Sequence, residues 1–274
     1  MASQAPDKVV ILARGMGSRM RRDDDSAGLD ERQAAVADSG VKALIPIDRP
    51  FLDYVLSTAA DAGYRRVCLV IGPEHDATRR YYGQEIKPER LSIEFAVQEE
   101  PKGTANALLA AEKFADGDTF AMLNSDNHYP LEAMRQLREH DGSGVGLFDF
   151  ESMVSQSNLS EERLLTFAVG LVDADGNLER IVEKPNKETW AALPRPIWLS
   201  MNCWQFRASI FESCRAIGPS ARGEYEIPDA VMHSIGKLGE KFRAITVKAP
   251  VLDLTSRNDV PAITRCLAGT EVSL

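Results

Sequence analysis

Short apolar runs alternate with longer amphipathic ones over the first half of the chain. This alternation restricts the folds open to it more than any other feature. Residues 9–12, 66–71, 93–97 and 119–123 are runs of about five apolar, often β-branched residues, the pattern of buried strands. Between them, Pro50 opens an amphipathic stretch to Ala62 that Gly63 ends. Others span 76–82, 103–114 and 131–139. Strands too apolar to face water, each followed by a helix, predict an α/β chain: a Rossmann-like, mostly parallel central sheet with helices on both faces. From Val145 the pattern changes. Residues 167–172 and 178–183 flank Asp173-Ala174-Asp175-Gly176-Asn177, a hairpin turn sequence, and 201–206 and 242–247 are further strand candidates. Helices are expected over 211–217, 227–238 and 262–267. The second half thus adds a smaller antiparallel portion.

No repeat, linker or low-complexity run divides the chain, so 1–274 is expected to be one domain, its halves meeting near residue 140. The polar, mostly acidic residues 21–40 suggest an exposed insertion, helical over part of 29–37. It could be a lid beside the first loop or a solvated loop without a role.

Composition removes several classes. A net charge of −9 opposes a nucleic-acid polymer or an anionic membrane as partner, although local arginines can still hold a small polyanion. Cys68, Cys203, Cys214 and Cys266 show no Cys-x-x-Cys spacing and suggest free thiols in a reducing cytoplasm. Neither an apolar leader nor a bilayer-length apolar run is present, so a cytoplasmic protein is expected.

The first strand runs into Ala13-Arg14-Gly15-Met16-Gly17-Ser18-Arg19-Met20. Glycines lack a Cβ, so backbone N–H groups there can approach an anion closely, and Arg19 can pair with phosphate oxygens in a fork geometry. A dinucleotide fingerprint would need a third glycine where Met20 stands, and no Gly-Lys-Ser/Thr of a P-loop occurs. What remains is a phosphate-holding loop or, more plainly, a tight strand-to-helix turn with a solvated arginine.

Gly-x-Gly-x-Arg after a first strand resembles the entry motif of the sugar-phosphate nucleotidyltransferases. The resemblance continues along the chain. Lys42, in Val41-Lys42-Ala43-Leu44-Ile45-Pro46, is similar to that family's Pro-Lys-x-Leu-x-Pro lysine. Gln98 followed by Gly103-Thr104-Ala105 is similar to its base-contacting segment, and Asn124-Ser125-Asp126-Asn127 to its Gly-Asp-Asn. Glu183-Lys184-Pro185, Asn202 and Gly223-Glu224-Tyr225-Glu226-Ile227 match its sugar-phosphate motifs, and Asp253 its second metal ligand.

The resemblance implies a nucleotide site from Leu12, Ala13, Arg14, Gly15, Met16, Gly17, Ser18, Arg19, Gln98, Gly103 and Thr104. It implies a sugar-phosphate site from Asn124, Ser125, Ala168, Glu183, Lys184, Asn202 and Glu224, with Mg²⁺ on Asp126 and Asp253. Arg19, Lys42, Asp126 and Lys184 would be catalytic. The implied reaction joins an NTP and a sugar 1-phosphate, giving an NDP-sugar and pyrophosphate. Glucose 1-phosphate is favoured, as is UTP or dTTP because the Gln98 amide offers a donor and an acceptor to an imide edge.

Without the resemblance, Asp253 could equally cap a helix. Ser125, Ala168 and Thr255 stand where the family usually has glycine, and Arg14 replaces a small residue, adding a cation over the triphosphate. The alternatives are a cytidylyltransferase on another phosphorylated small molecule, a GT-A-like glycosyltransferase, or an inactive binding homologue. A homo-oligomer is compatible with any of these.

Overall fold

Val9 and Ile11 bury their side chains on one side of the first strand and Val10 on the other, which is possible only if both faces of the sheet are covered. The computed structural model describes residues 5–15, 17–22 and 25–274. Its central strands are β1 (Lys8–Leu12), β2 (Arg66–Ile71), β3 (Ser92–Val97) and β4 (Phe120–Asn124). They run parallel, with β1 between β2 and β4 and β3 outside β2. The helices Phe51–Ala62 and Leu131–Glu139 cover one face, where Leu52, Val55, Met134 and Leu137 join Val9 and Ile11. Thr104–Ala110, Ile210–Ala216 and Ile227–Leu238 cover the other with Leu108, Phe211 and Val231. Gly63 takes a left-handed conformation at the end of its helix, the stop expected from the sequence.

Of the remaining strands, five complete the sheet and two pair in a small sheet of their own. They are β5 (Asn127–His128), β6 (Gly144–Asp149), β7 (Ala168–Val172), β8 (Leu178–Val182), β9 (Trp198–Phe206), β10 (Arg243–Val247) and β11 (Leu252–Asp253). The large sheet has the order β10-β6-β9-β4-β1-β2-β3, and the β7–β8 hairpin hangs from β9. Asp173 closes that hairpin by accepting the backbone N–H groups of Asp175 and Asn177. The second half holds antiparallel pairs, as expected, and β9 makes three of them, although β10 is parallel to β6.

Sequence patterning missed three short helices, Phe150–Gln156, Glu161–Leu164 and Lys187–Ala192, each too brief to show a helical period. The stretch 103–114 forms two helices broken at Ala111 rather than one. Also unexpected is the two-residue antiparallel ladder between β5 and β11, which closes over the C-terminal edge of the sheet.

Within 21–40 a helix, Glu31–Ser39, forms two residues later than expected, with a capping box between Asp30 and Gln33. It is anchored rather than loose. Ala37 is fully buried, and Arg21 donates to the Ser39 carbonyl at 2.8 and 3.1 Å. Gly17, at φ +59°, faces the Gly40 backbone so closely that a Cβ built on it would lie 2.2 Å from the Gly40 carbonyl oxygen. Replacing Gly17 with alanine should therefore cost about 1–3 kcal/mol of stability. Chemical denaturation would register this as a lowered midpoint, and an unchanged midpoint would contradict the packing.

Candidate active site

Parallel strands end together, so the loops leaving their carboxyl ends share one edge of the sheet. Two cavities open there. The smaller, about 270 Å³, is lined by Leu12, Ala13, Arg14, Gly15, Lys42, Gln98, Gly103, Thr104, Asn124, Ser125, Asp126 and Glu224 among others. The larger, about 770 Å³, is lined by Arg19, Asp126, Arg163, Ala168, Glu183, Lys184, Asn202, Arg222, Glu224 and Asp253 among others. Thr104, Asn124, Asp126 and Glu224 belong to both walls, so the cavities adjoin. Arg19 and Asp126, far apart in sequence, face one space.

Not every sequence candidate lies on these walls. Met16 lies outside the described residues. Gly17 and Ser18 line neither cavity; Gly17 is taken up by its contact with Gly40. Ser125, expected on the sugar side, lines only the smaller cavity. Arg14 does not sit as a free cation over phosphates. Its guanidinium is side-on to the Glu74 carboxylate, 3.2 and 3.4 Å away, and donates to the Gln98 carbonyl. The Gln98 amide offers a ligand less than the sequence implied. Its Nε2 donates to the Gly103 carbonyl at 3.1 Å and the Asn106 side chain at 2.9 Å, leaving only the oxygen.

The acids are positioned by the small ladder. Asn127 pairs with Asp253 in register, and Leu254 donates its N–H to the Asp126 carbonyl at 2.8 Å, so Asp126 and Asp253 are brought side by side. Asp253 thus lies in a strand, which removes the helix-cap reading of it. Each carboxylate has a cation. Lys42 donates to Asp126 from beneath the first loop, its Cε 3.7 Å from where a Gly15 Cβ would be. Arg163 spans Asp253 at 2.5 Å and Asp259 at 2.8 Å. Asp253 also accepts from Asn127 and Thr255. Burial, and then the negative charge of Asp126, push the Asp253 carboxyl above its usual range, against the pull of Arg163.

Two backbone strains mark the larger cavity. Lys184 has φ +41° and Asn202 φ +56°, conformations that residues with a Cβ rarely adopt. Asn202 sits in a bulge: pairing between β6 and β9 jumps from Gly146–Cys203 to Leu147–Ser200, which leaves Met201 and Asn202 unpaired with β6. The buried Tyr129 hydroxyl pins this bulge by donating to the Met201 carbonyl at 2.7 Å, and it accepts the Asn124 N–H at 3.3 Å. Among the described residues, Arg19 and Lys184 make no ion pair or side-chain hydrogen bond, so both cations are available to a ligand.

The Nucleotidyl transferase family model matches residues 34–246. The chain belongs to that family. Its relatives include a UTP–glucose-1-phosphate uridylyltransferase of Haloferax volcanii, 25% identical over 251 residues that make up 90% of each chain. A glucose-1-phosphate thymidylyltransferase of Actinoplanes is 30% identical over 223 residues, 80% of this chain and 64% of that one. The fold matches a crystal structure of UDP-glucose pyrophosphorylase complexed with UDP-glucose, with a TM-score of 0.73 at 19% identity over 97% of this chain and 99% of that one. At that identity the match speaks for the fold.

Arg163 and Arg222 are cavity residues that sequence reading did not single out. Arg222 directly precedes the Gly223-Glu224 motif, which was a usable signal; Arg163 reaches Asp253 across ninety positions and left none. Replacing Arg163 with methionine would leave Asp253 buried beside Asp126 with no cation, a loss of about 3–5 kcal/mol. Because the folded carboxyl would then titrate still further above its unfolded value, the deficit should be greatest near neutral pH and shrink as acid protonates Asp253. Denaturation curves at several pH values check both the size and the sign.

Proposed function

We propose that the chain joins an NTP to a sugar 1-phosphate, releasing pyrophosphate and forming an NDP-sugar. The observation that carries this reading is the shared cavity. Two uncommitted cations, Arg19 and Lys184, face two adjacent carboxylates, Asp126 and Asp253, beyond the carboxyl edge of a parallel sheet. The reaction requires no nucleophile from the protein. An oxygen of the sugar phosphate attacks the α-phosphorus, the new O–P bond forms as the bond to the β-phosphate oxygen breaks, and pyrophosphate departs in line. Such a step is accelerated by positioning and by neutralising the phosphate charges.

In this reading the nucleotide occupies the smaller cavity and the sugar phosphate the larger, meeting at Thr104, Asn124, Asp126 and Glu224. Arg19 neutralises the β- and γ-phosphates, and Lys184 holds the attacking phosphate. Lys42 keeps the Asp126 carboxylate oriented beneath the first loop. Glu183, Asn202 and Glu224 supply hydrogen-bonding partners for sugar hydroxyls. The halves 7–140 and 141–274 then divide the labour between nucleotide and sugar phosphate.

Adjacent carboxylates of this kind suit a hard divalent cation. Asp126 and Asp253 offer oxygen donors only, and a dication would relieve what raises the Asp253 carboxyl, its burial first and the charge of Asp126 second. In this reading Mg²⁺ would be held by these two carboxylates, with phosphates and water completing its oxygen ligands. When bound, Mg²⁺ supplies further neutralisation of phosphate charge at the junction of the two cavities.

The named relatives act on UTP or on a thymidylyl donor with glucose 1-phosphate, which supports those substrates first. The four free cysteines suit a reducing cytoplasm, and no helix among the described residues is long and apolar enough to cross a membrane. Pyrophosphate release, measured over a matrix of NTPs and sugar 1-phosphates, tests the proposal; no release from any pair would overturn it. Asp126→Ala should lower turnover by about 1000-fold while circular dichroism stays unchanged, and chelating divalent cations should stop the native enzyme.

A further inference from the structure

The remaining feature of the smaller cavity is the side chain of Arg14, which stands where the family usually has a small residue. Its five N–H donors can be assigned one by one. Nε and one N–H of Nη2 face Glu74, and one N–H of Nη1 goes to the Gln98 carbonyl. One N–H on each terminal nitrogen has no protein acceptor among the described residues, and the side chain lines the cavity. Gln98 is complementary. The Gly103 carbonyl can only accept, so it fixes the amide with Nε2 inward. The side-chain oxygen is left to accept from a ligand. Because Arg14 is bonded to the backbone of Gln98 itself, a donor-only group and an acceptor are held as neighbours on one cavity wall.

We propose that Arg14 reads the nucleobase, and that with Gln98 it selects bases carrying a ring N–H beside a carbonyl. The inference rests on the nucleotidyl-transfer reading above and names the nucleotide class it uses. Uracil, thymine and guanine all carry that lactam edge: the ring N–H donates to the Gln98 oxygen and the carbonyl accepts from Arg14. Cytosine and adenine reverse it. Their unprotonated ring nitrogen would face the Gln98 oxygen and their amino group the guanidinium, leaving polar groups on both sides unpaired. A site built around such groups discriminates strongly, because each mismatch strands a desolvated donor or acceptor. Glu74 holds the guanidinium in place, and Gly72 leaves room for it: a Cβ there would lie 2.5 Å from Arg14 Nε.

Two measurements on the full-length enzyme test this: calorimetric binding of UTP, dTTP, GTP, CTP and ATP without sugar phosphate, and kcat/KM by pyrophosphate release. The native enzyme should favour the best lactam nucleotide over CTP and ATP by about 100-fold or more. Arg14→Ala should lose about 10- to 100-fold in affinity for lactam nucleotides, with CTP and ATP changed by less than about 3-fold. Arg14→Lys keeps a charge but has no planar two-nitrogen edge, so it should show the same selective loss with an unaltered melting temperature. An equal loss for all five nucleotides would overturn the proposal and make Arg14 a general support of the cavity wall with no part in reading the base. A native preference for CTP or ATP would overturn it as well. If binding ranks the nucleotides as expected but no pair is turned over, the reaction assignment fails while the base-reading role stands.

Discussion

Two carboxylates held against each other, each with its own cation, are the arrangement on which the rest of the site depends. Like charges at close range in a buried setting are costly, and the ladder between β5 and β11 imposes that proximity through backbone hydrogen bonds that the side chains cannot escape. Lys42 and Arg163 make the arrangement tolerable. Both come from segments the acids do not belong to, Lys42 from beneath the first loop and Arg163 from a short helix after β6. Assembly of the acids therefore requires several separate parts of the chain to be in place together. Their residual mutual repulsion is also what a phosphate-bound dication would relieve under the proposed function.

Rigidity around this pair is built from tight backbone contacts. Gly17 lies against Gly40, so the first loop and the segment after it are packed as one unit. Gly103, at φ +104°, lies against Tyr225, where a Cβ would come within 2.4 Å of the carbonyl oxygen. The second contact joins the wall of the smaller cavity to the Gly223-Glu224 segment of the larger. Ala105 and Tyr225 reinforce it through backbone hydrogen bonds of 2.9 and 2.8 Å to Tyr225 and Lys102 respectively. The segments around Gly103 and Tyr225 are thereby fixed relative to each other.

Much of the architecture was legible in the order of apolar runs. The four parallel strands, the helix Phe51–Ala62 ended by Gly63, the helix Leu131–Glu139 and the Asp173–Asn177 hairpin each rest on local chemistry, namely burial pattern, caps and turn residues. The short helices around residues 150–192 were not legible, because fewer than two turns leave no period to detect. For the candidate site, residues following strands, such as Gln98 and Asp126, could be placed at the sheet edge from topology alone. Asp253 could not, because a two-residue strand has no sequence signature and its ladder partner Asn127 is 126 positions away in the chain.

Local sequence determined which segments are strands and helices, and that a glycine-rich loop with arginines comes after the first strand, since these depend on side-chain period and backbone freedom within a few residues. Only the tertiary structure decided that Asp126 and Asp253 lie side by side, that Arg163 neutralises one of them, that Gln98 has a single atom to offer, and that Arg14 is bonded to Glu74 and the Gln98 carbonyl rather than standing as a free cation. Those outcomes depend on which groups compete for the same hydrogen bonds after the chain has closed on itself. A linear pattern records the competitors but not their distances.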